Sequence, residues 1–144
     1  MGAVACAASV LLFWSCGGSG PASASGPNAP PGGAQASTSH NAGRDCLGCH
    51  GFGAAGTVYR AGGTTPYPGA TVRLLSPSGA ADRVDLTLTT DASGNFYTNQ
   101  RLSFGTGVSA QVTGTGGALR TMGTPATSGR CNGCHDSLNR IVAD

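Results

Sequence analysis

"CLGCH" occupies residues 46–50 and "CNGCH" occupies residues 131–135. The chain holds three histidines, and two of them, His50 and His135, directly follow the second cysteine of a Cys-x-x-Cys pair. Four chemistries use such pairs. A zinc ribbon needs its two pairs roughly 15–20 residues apart, whereas residues 50–130 lie between these two. A thioredoxin-type redox site needs one pair on a βαβ scaffold, and no such pattern surrounds either pair. Structural disulfides suit an exported protein but leave the histidines unexplained. Covalent haem attachment explains cysteines and histidines together. The three-residue step between cysteines is close to one helical turn, so both sulfurs face one edge of the macrocycle. Two thiols add to the two vinyl groups, and the adjacent histidine supplies an imidazole to iron.

Both motifs resemble those of multihaem c-type cytochromes. The resemblance implies two covalent haem c groups, with thioethers at Cys46, Cys49, Cys131 and Cys134 and proximal iron ligands at His50 and His135. Two haems have four axial positions. Lysine is absent, which leaves His40, six residues before Cys46, and Met122, nine residues before Cys131. His40 is read as a distal ligand; its alternative is a solvated linker histidine. Met122 is read first as gap-filling in a core and second as a distal ligand. The supply is at most one bis-His haem and one His/Met haem, and the spacing leaves open which haem either residue serves. Methionine raises the potential relative to a second histidine, so unequal haems are expected.

The elements that must carry these motifs are small. At 144 residues there is room for one small domain with appendages. Charge is sparse: eight cations, all Arg, and six anions, all Asp. A net charge of +2 with no basic stripe argues against a nucleic-acid partner. Chains of this size often depend on a staple or prosthetic group to supplement a thin core.

Residues 3–14, "AVACAASVLLFW", form an uncharged apolar run too short to span a bilayer and of the length of a signal-peptide core. "FWSC", ending at Cys16, resembles a bacterial lipobox, which implies lipidation of Cys16 and a membrane anchor; the alternative is a plain signal peptide cleaved nearby. Cys6 lies within the apolar run and is lost either way. Residues 16–39 are rich in Gly, Pro, Ala and Ser and read as a flexible linker. The organisation expected is a signal peptide over 1–15, the linker over 16–39, a first haem-binding segment over 40–55, a β domain over 56–121 and a second haem-binding segment over 122–144.

The middle reads as mostly β. "VDLTLT" alternates Val84, Leu86 and Leu88 against polar residues, and "VSAQVT" does so with Val108, Ala110 and Val112. "TVYR" and "ATVRLL" are shorter strand candidates, with "PYPG", "SPSG" and "DASG" as turns. This order resembles a carboxypeptidase-regulatory-like, immunoglobulin-type β-sandwich. The likeness rests on Gly56-Thr57-Val58, on "YPGATVRLL", on the "T-D-x-x-G-x-F" turn of Thr90 to Phe96, and on Gly107 followed by "VSAQVTG". It implies a spacer or binding element and assigns no catalytic residue. "GTGG" at 114–117 stands where an edge element is expected, which would make the sandwich incomplete. "GFGAAG" behind the first motif cannot hold a helix, so a loop or single turn is expected there. Behind the second, Leu138, Ile141 and Val142 at helical spacing predict a short C-terminal helix.

The function expected is single-electron transfer by an exported dihaem c-type cytochrome of the periplasm or cell surface, anchored to the outer membrane. Its partners would be other redox proteins of the envelope, with self-association as a further option. The rivals are a dihaem peroxidase-like enzyme with an open iron site and a surface interaction module whose haems are secondary. No HExxH, Gly-x-Ser-x-Gly or phosphate-loop motif is present.

Overall fold

A computed structural model describes residues 39–76 and 85–144. The expected signal peptide, Cys6, Cys16, the linker up to residue 38 and Val84 lie outside the described residues.

The alternating segments form strands. β1 (Ala54–Tyr59) is buried along its whole length. β2 (Thr71–Leu75) and β3 (Asp85–Thr89) each bury every second residue, as a half-covered sheet requires. β4 (Asn95–Thr98), β5 (Ser109–Thr113), β6 (Leu119–Thr121) and β7 (Ile141–Val142) complete two sheets. One has the order β4-β1-β7 and the other β3-β2-β5-β6. Both feed a single apolar cluster, with Val58 and Phe96 from the first sheet and Val72, Leu74, Leu86, Leu88 and Val112 from the second. Each such side chain contributes about 1.5–3 kcal/mol on full burial. The one α-helix among the described residues, α1 (Cys131–Cys134), is a single turn. The protein is thus mostly β.

The Thr90–Phe96 turn is built as its residues suggest. The Asp91 carboxylate accepts from the N–H groups of Ser93 (2.8 Å) and Asn95 (3.0 Å). Gly94 holds φ +73°, and a Cβ there would meet Pro66, the Tyr67 N–H and the Val58 carbonyl, each at 2.8 Å. Only glycine fits.

Two expectations are corrected. "GTGG" does not replace an edge element. It is a turn, closed by Gly117 N–H to the Gly114 carbonyl at 3.0 Å, and it leads into β6, an exposed edge strand paired with β5. The helix expected through Leu138, Ile141 and Val142 does not form. The Asp136 carboxylate captures the N–H groups of Leu138 (2.8 Å) and Asn139 (3.3 Å), so the backbone turns instead of continuing the helix. Ile141 and Val142 then pair in parallel with Val58 and Tyr59 as β7, and the Ala143 N–H bonds the Tyr59 carbonyl at 3.0 Å. β-branched residues suit that extended role. Leu138 is 93% exposed, whereas Ile141 packs on the core.

This arrangement separates two substitutions that a helix would make equivalent. Leu138→Ser should change unfolding free energy by less than about 0.5 kcal/mol, and Ile141→Ser should cost about 1 kcal/mol or more. Denaturant unfolding of both variants checks this; equal losses would contradict the strand.

Candidate functional site

Both Cys-x-x-Cys-His motifs lie against β1. The first begins where Asp45 caps a 3-10 turn over Cys46–Gly48, accepting from the Leu47 N–H at 3.2 Å. The His50 N–H then bonds the Cys46 carbonyl at 2.9 Å. The second motif leaves β1 and returns to it. The Ala55 N–H bonds the Gly129 carbonyl at 3.0 Å, Arg130 bridges in parallel with Ala55, and pairing resumes only at Val58 with Ile141. CNGCH is the excursion between these two points, and the His135 N–H closes its turn on the Cys131 carbonyl at 2.8 Å. Each motif is therefore one tight turn, as the cysteine spacing suggested.

A buried polar node joins them. The Thr57 N–H donates to Asn132 Oδ1 at 3.0 Å. Thr57 Oγ1 accepts from Asn132 Nδ2 at 3.0 Å and from the Gly43 N–H at 2.8 Å, and donates to Asn95 Oδ1. Asn132 Nδ2 also reaches the Arg44 carbonyl at 2.8 Å. Arg130 forms an ion pair with Asp45; both side chains have solvent access, so the pair stabilises little by itself. Among the described residues no buried side-chain N or O atom lacks a hydrogen bond. Gly56 permits the close approach: a Cβ there would lie 2.7 Å from Phe96 Cζ and 2.8 Å from Cys131 Cβ.

The histidines differ in setting. His40 and His50, both exposed, have ring centroids 5.7 Å apart at 57°. His50 stacks on Phe52 (4.9 Å, 17°), and Phe52 stacks on Tyr97 (4.7 Å, 21°). An open groove of about 490 Å³ runs beside His50 and Phe52, lined also by Leu47, Arg101, Leu102 and Arg130 among others. His135 Nδ1 lies 2.8 Å from the Asn139 carbonyl. A carbonyl only accepts, so Nδ1 carries a proton, and in the neutral imidazole Nε2 then keeps its lone pair. That is the second-shell orientation of a metal-ligating imidazole. Met122 is not gathered here. Its N–H bonds the Ala110 carbonyl on β5, in the other sheet.

The cysteines are unequally presented. Cys134 is exposed and Cys46 half-buried. Burial raises the Cys46 thiol above its ordinary 9.0, and the Asp45 charge adds to the rise. Cys131 packs on the core beside Gly56. Burial pushes its thiol up to about 12, with Cys134 and Cys46 contributing. Cys49 is disulfide-bonded.

These residues can be tested against the haem their pattern implies. Among the described residues no three His, Cys, Asp or Glu side chains converge as a bare metal ion would require. A haem iron, already held by its macrocycle, asks the protein for one or two axial donors. His135, with Nε2 free, and the His40–His50 pair fit that demand. Flat apolar side chains beside His50, with two guanidiniums at the groove, suit a planar ligand bearing carboxylates. Attachment further requires that the Cys49 disulfide be reduced and that Cys131 turn outward from Gly56.

No family model matches the chain, and no curated protein or solved structure matches it.

Sequence reasoning missed Asn132, Thr57, Asn95 and Phe52. Asn132 sits at a free "x" of its motif, and Thr57 at an alternating strand position, so nothing in the local pattern marks either. Asn132→Ala should cost about 2–3 kcal/mol, because it strands the buried Thr57 N–H. Gly133→Ala, whose Cβ would come no closer than 3.4 Å to Arg130, should be tolerated. Urea unfolding distinguishes the two.

Cys131 also carries a pH signature in protein without haem. The folded chain holds this proton to about pH 12, while the unfolded thiol loses it near 9.0. Its contribution is complete below pH 9 and is lost as pH rises from there toward 12. The alkaline fall in melting temperature should be shallower in Cys131→Ala than in the parent. Parallel curves would show that Cys131 titrates normally.

Proposed function

We propose that this protein is an exported dihaem c-type cytochrome that passes single electrons at the cell envelope. The observation that carries the reading is the meeting of two Cys-x-x-Cys-His turns on one strand, although residues 51–130 separate them in the chain. Haem c would be held by thioethers at Cys46, Cys49, Cys131 and Cys134, with His50 and His135 as proximal ligands and His40 as the distal partner of His50. Haem supplies one-electron exchange between ferric and ferrous iron. The chain's own residues retain it, orient the imidazoles and limit water. His135 is oriented by the Asn139 carbonyl, and His50 is braced by Phe52 and Tyr97.

The two sheets packed on one core support an immunoglobulin-type, carboxypeptidase-regulatory-like sandwich as the scaffold between the haem-binding segments. "FWSC" and the Gly/Pro/Ser/Ala-rich stretch support a lipid anchor at Cys16 that tethers the module, with other envelope redox proteins as partners. In this reading the protein is a carrier. A peroxidase-like reading draws on one observation: His40 stands beside His50, so no histidine remains for the far side of the His135 iron, and Met122 lies in the other sheet. Peroxide turnover would separate the two.

The test is the mass of protein matured in a bacterial periplasm. It should show two haems that survive denaturation, and Cys134→Ala should disrupt attachment at the second motif alone. One haem would remove the dihaem reading; none would remove the cytochrome.

A further inference from the structure

The Asp91–Asn95 turn does more than reverse the chain. Its side chains hold three separate groups of Ser39 and His40. Ser93 Oγ donates to the Ser39 carbonyl at 2.7 Å. Asn95 Nδ2 donates to Ser39 Oγ at 2.8 Å and to the His40 carbonyl at 3.2 Å. The Ser39 hydroxyl in turn donates to the Asp91 carboxylate. The direction of the Asn95 amide is not free. Its Oδ1 accepts the Thr57 hydroxyl, so Nδ2 must face Ser39. Asp91 is likewise aligned by the N–H groups of Ser93 and Asn95. Asp91 and Asn95 are 6% and 3% exposed, so these bonds form in a shielded setting where each has more effect than at the surface. What they fix is the backbone at residue 40, whose ring stands 5.7 Å from that of His50.

We propose that this turn is a clamp for the distal ligand: Ser39, Asp91, Ser93 and Asn95 are positioning residues that hold His40 opposite His50 at the first haem. The proposal rests on the haem reading above. Without the clamp, the described residues would hold His40 near His50 through its chain link to Asn41 and the turn beyond it, closed by the Arg44 N–H on the Asn41 carbonyl. A ligand fixed in place binds without first losing its freedom; a loosely tethered one does not. Releasing the clamp should therefore shift the sixth position toward solvent or added ligand while both haems stay attached.

The serines provide the test, because they carry the contacts without lying in the core. In mature, haem-loaded protein, Ser39→Ala/Ser93→Ala should retain two haems and a cooperative melt. The first haem should show a larger high-spin fraction. The ferrous protein should bind carbon monoxide about tenfold faster, the effect expected from losing one or two net hydrogen bonds. Ser93→Thr, which keeps the hydroxyl, should behave as the parent. His40→Ala sets the limit of full loss. If His40→Ala changes spin state but the double serine variant does not, the clamp is overturned and distal ligation by His40 stands. If His40→Ala changes nothing, His40 is not a ligand and the clamp has no object. Should the double variant fail to fold, Ser93→Ala alone gives the same reading with one contact removed.

Discussion

A buried hydroxyl and amide must satisfy all their hydrogen bonds, and at Thr57 they do so by drawing four stretches of chain together. Thr57 sits in the middle of β1 with its backbone N–H facing the motif side. No regular strand pairs there, since β7 joins β1 only from Val58 onward. A strand N–H left unpaired and buried would cost about 1–3 kcal/mol. Asn132 supplies the missing acceptor through its side chain, and its Nδ2 bonds the Thr57 hydroxyl and the Arg44 carbonyl. The hydroxyl passes the connection to Asn95 on β4. The first motif, the second motif and two strands thereby share one node. Closeness of the two Cys-x-x-Cys-His turns thus follows from satisfying buried backbone and side-chain groups.

That explains what the sequence could reveal. The alternation of Leu86 and Leu88 with polar neighbours was legible because a half-covered sheet has a period of two. The Asp91–Gly94 turn was legible because its geometry needs a side-chain acceptor and a residue free of Cβ. The single turn at each motif followed from cysteine spacing. The pairing of β7 was not legible. Ile141 and Val142 are two apolar residues, too few to show a period, and Leu138 completed a false helical triplet. Only Asp136, taking the N–H groups that a helix would use, decides against it. Asn132 was illegible for another reason: its partner Thr57 is distant in the chain, and a single buried amide leaves no repeat.

The parallel pairing of β7 has a further effect on the site. Parallel neighbours need a long connection, and between β1 and β7 the chain from residue 60 to residue 140 supplies it. It meets β1 at Ala55, departs, and rejoins at Val58 without reversing. Everything from Cys131 to Arg140 must therefore leave the sheet between two fixed points. A segment so held at both ends can project a functional turn while keeping its orientation. Its exposed tip, Leu138, then lies on the same excursion as His135.

The same constraint accounts for the contrast between the two motifs. The second is held at both ends by β1 and through its middle by Asn132, so Cys131 is drawn under the core beside Gly56. The first is anchored through the Gly43 N–H, the Arg44 carbonyl and the Asp45 carboxylate on Arg130, which leaves its later residues outside: Cys49 and His50 are exposed. Whatever the first motif lacks in burial is made up by rings, since His50, Phe52 and Tyr97 stack in series out from β4. One motif is organised by buried polar bonds and the other by aromatic contact and by the turn that holds Ser39. Two sites built on such different physics respond differently to solvent. Water reaches the first along the groove past Arg101 and Leu102, while at the second Nδ1 of His135 is engaged by a backbone carbonyl. A pair of redox groups seated there would differ in local dielectric and in hydrogen bonding to their ligands, two of the levers that separate midpoint potentials. If two haems are bound as proposed, this difference would add to the inequality expected from the count of histidines.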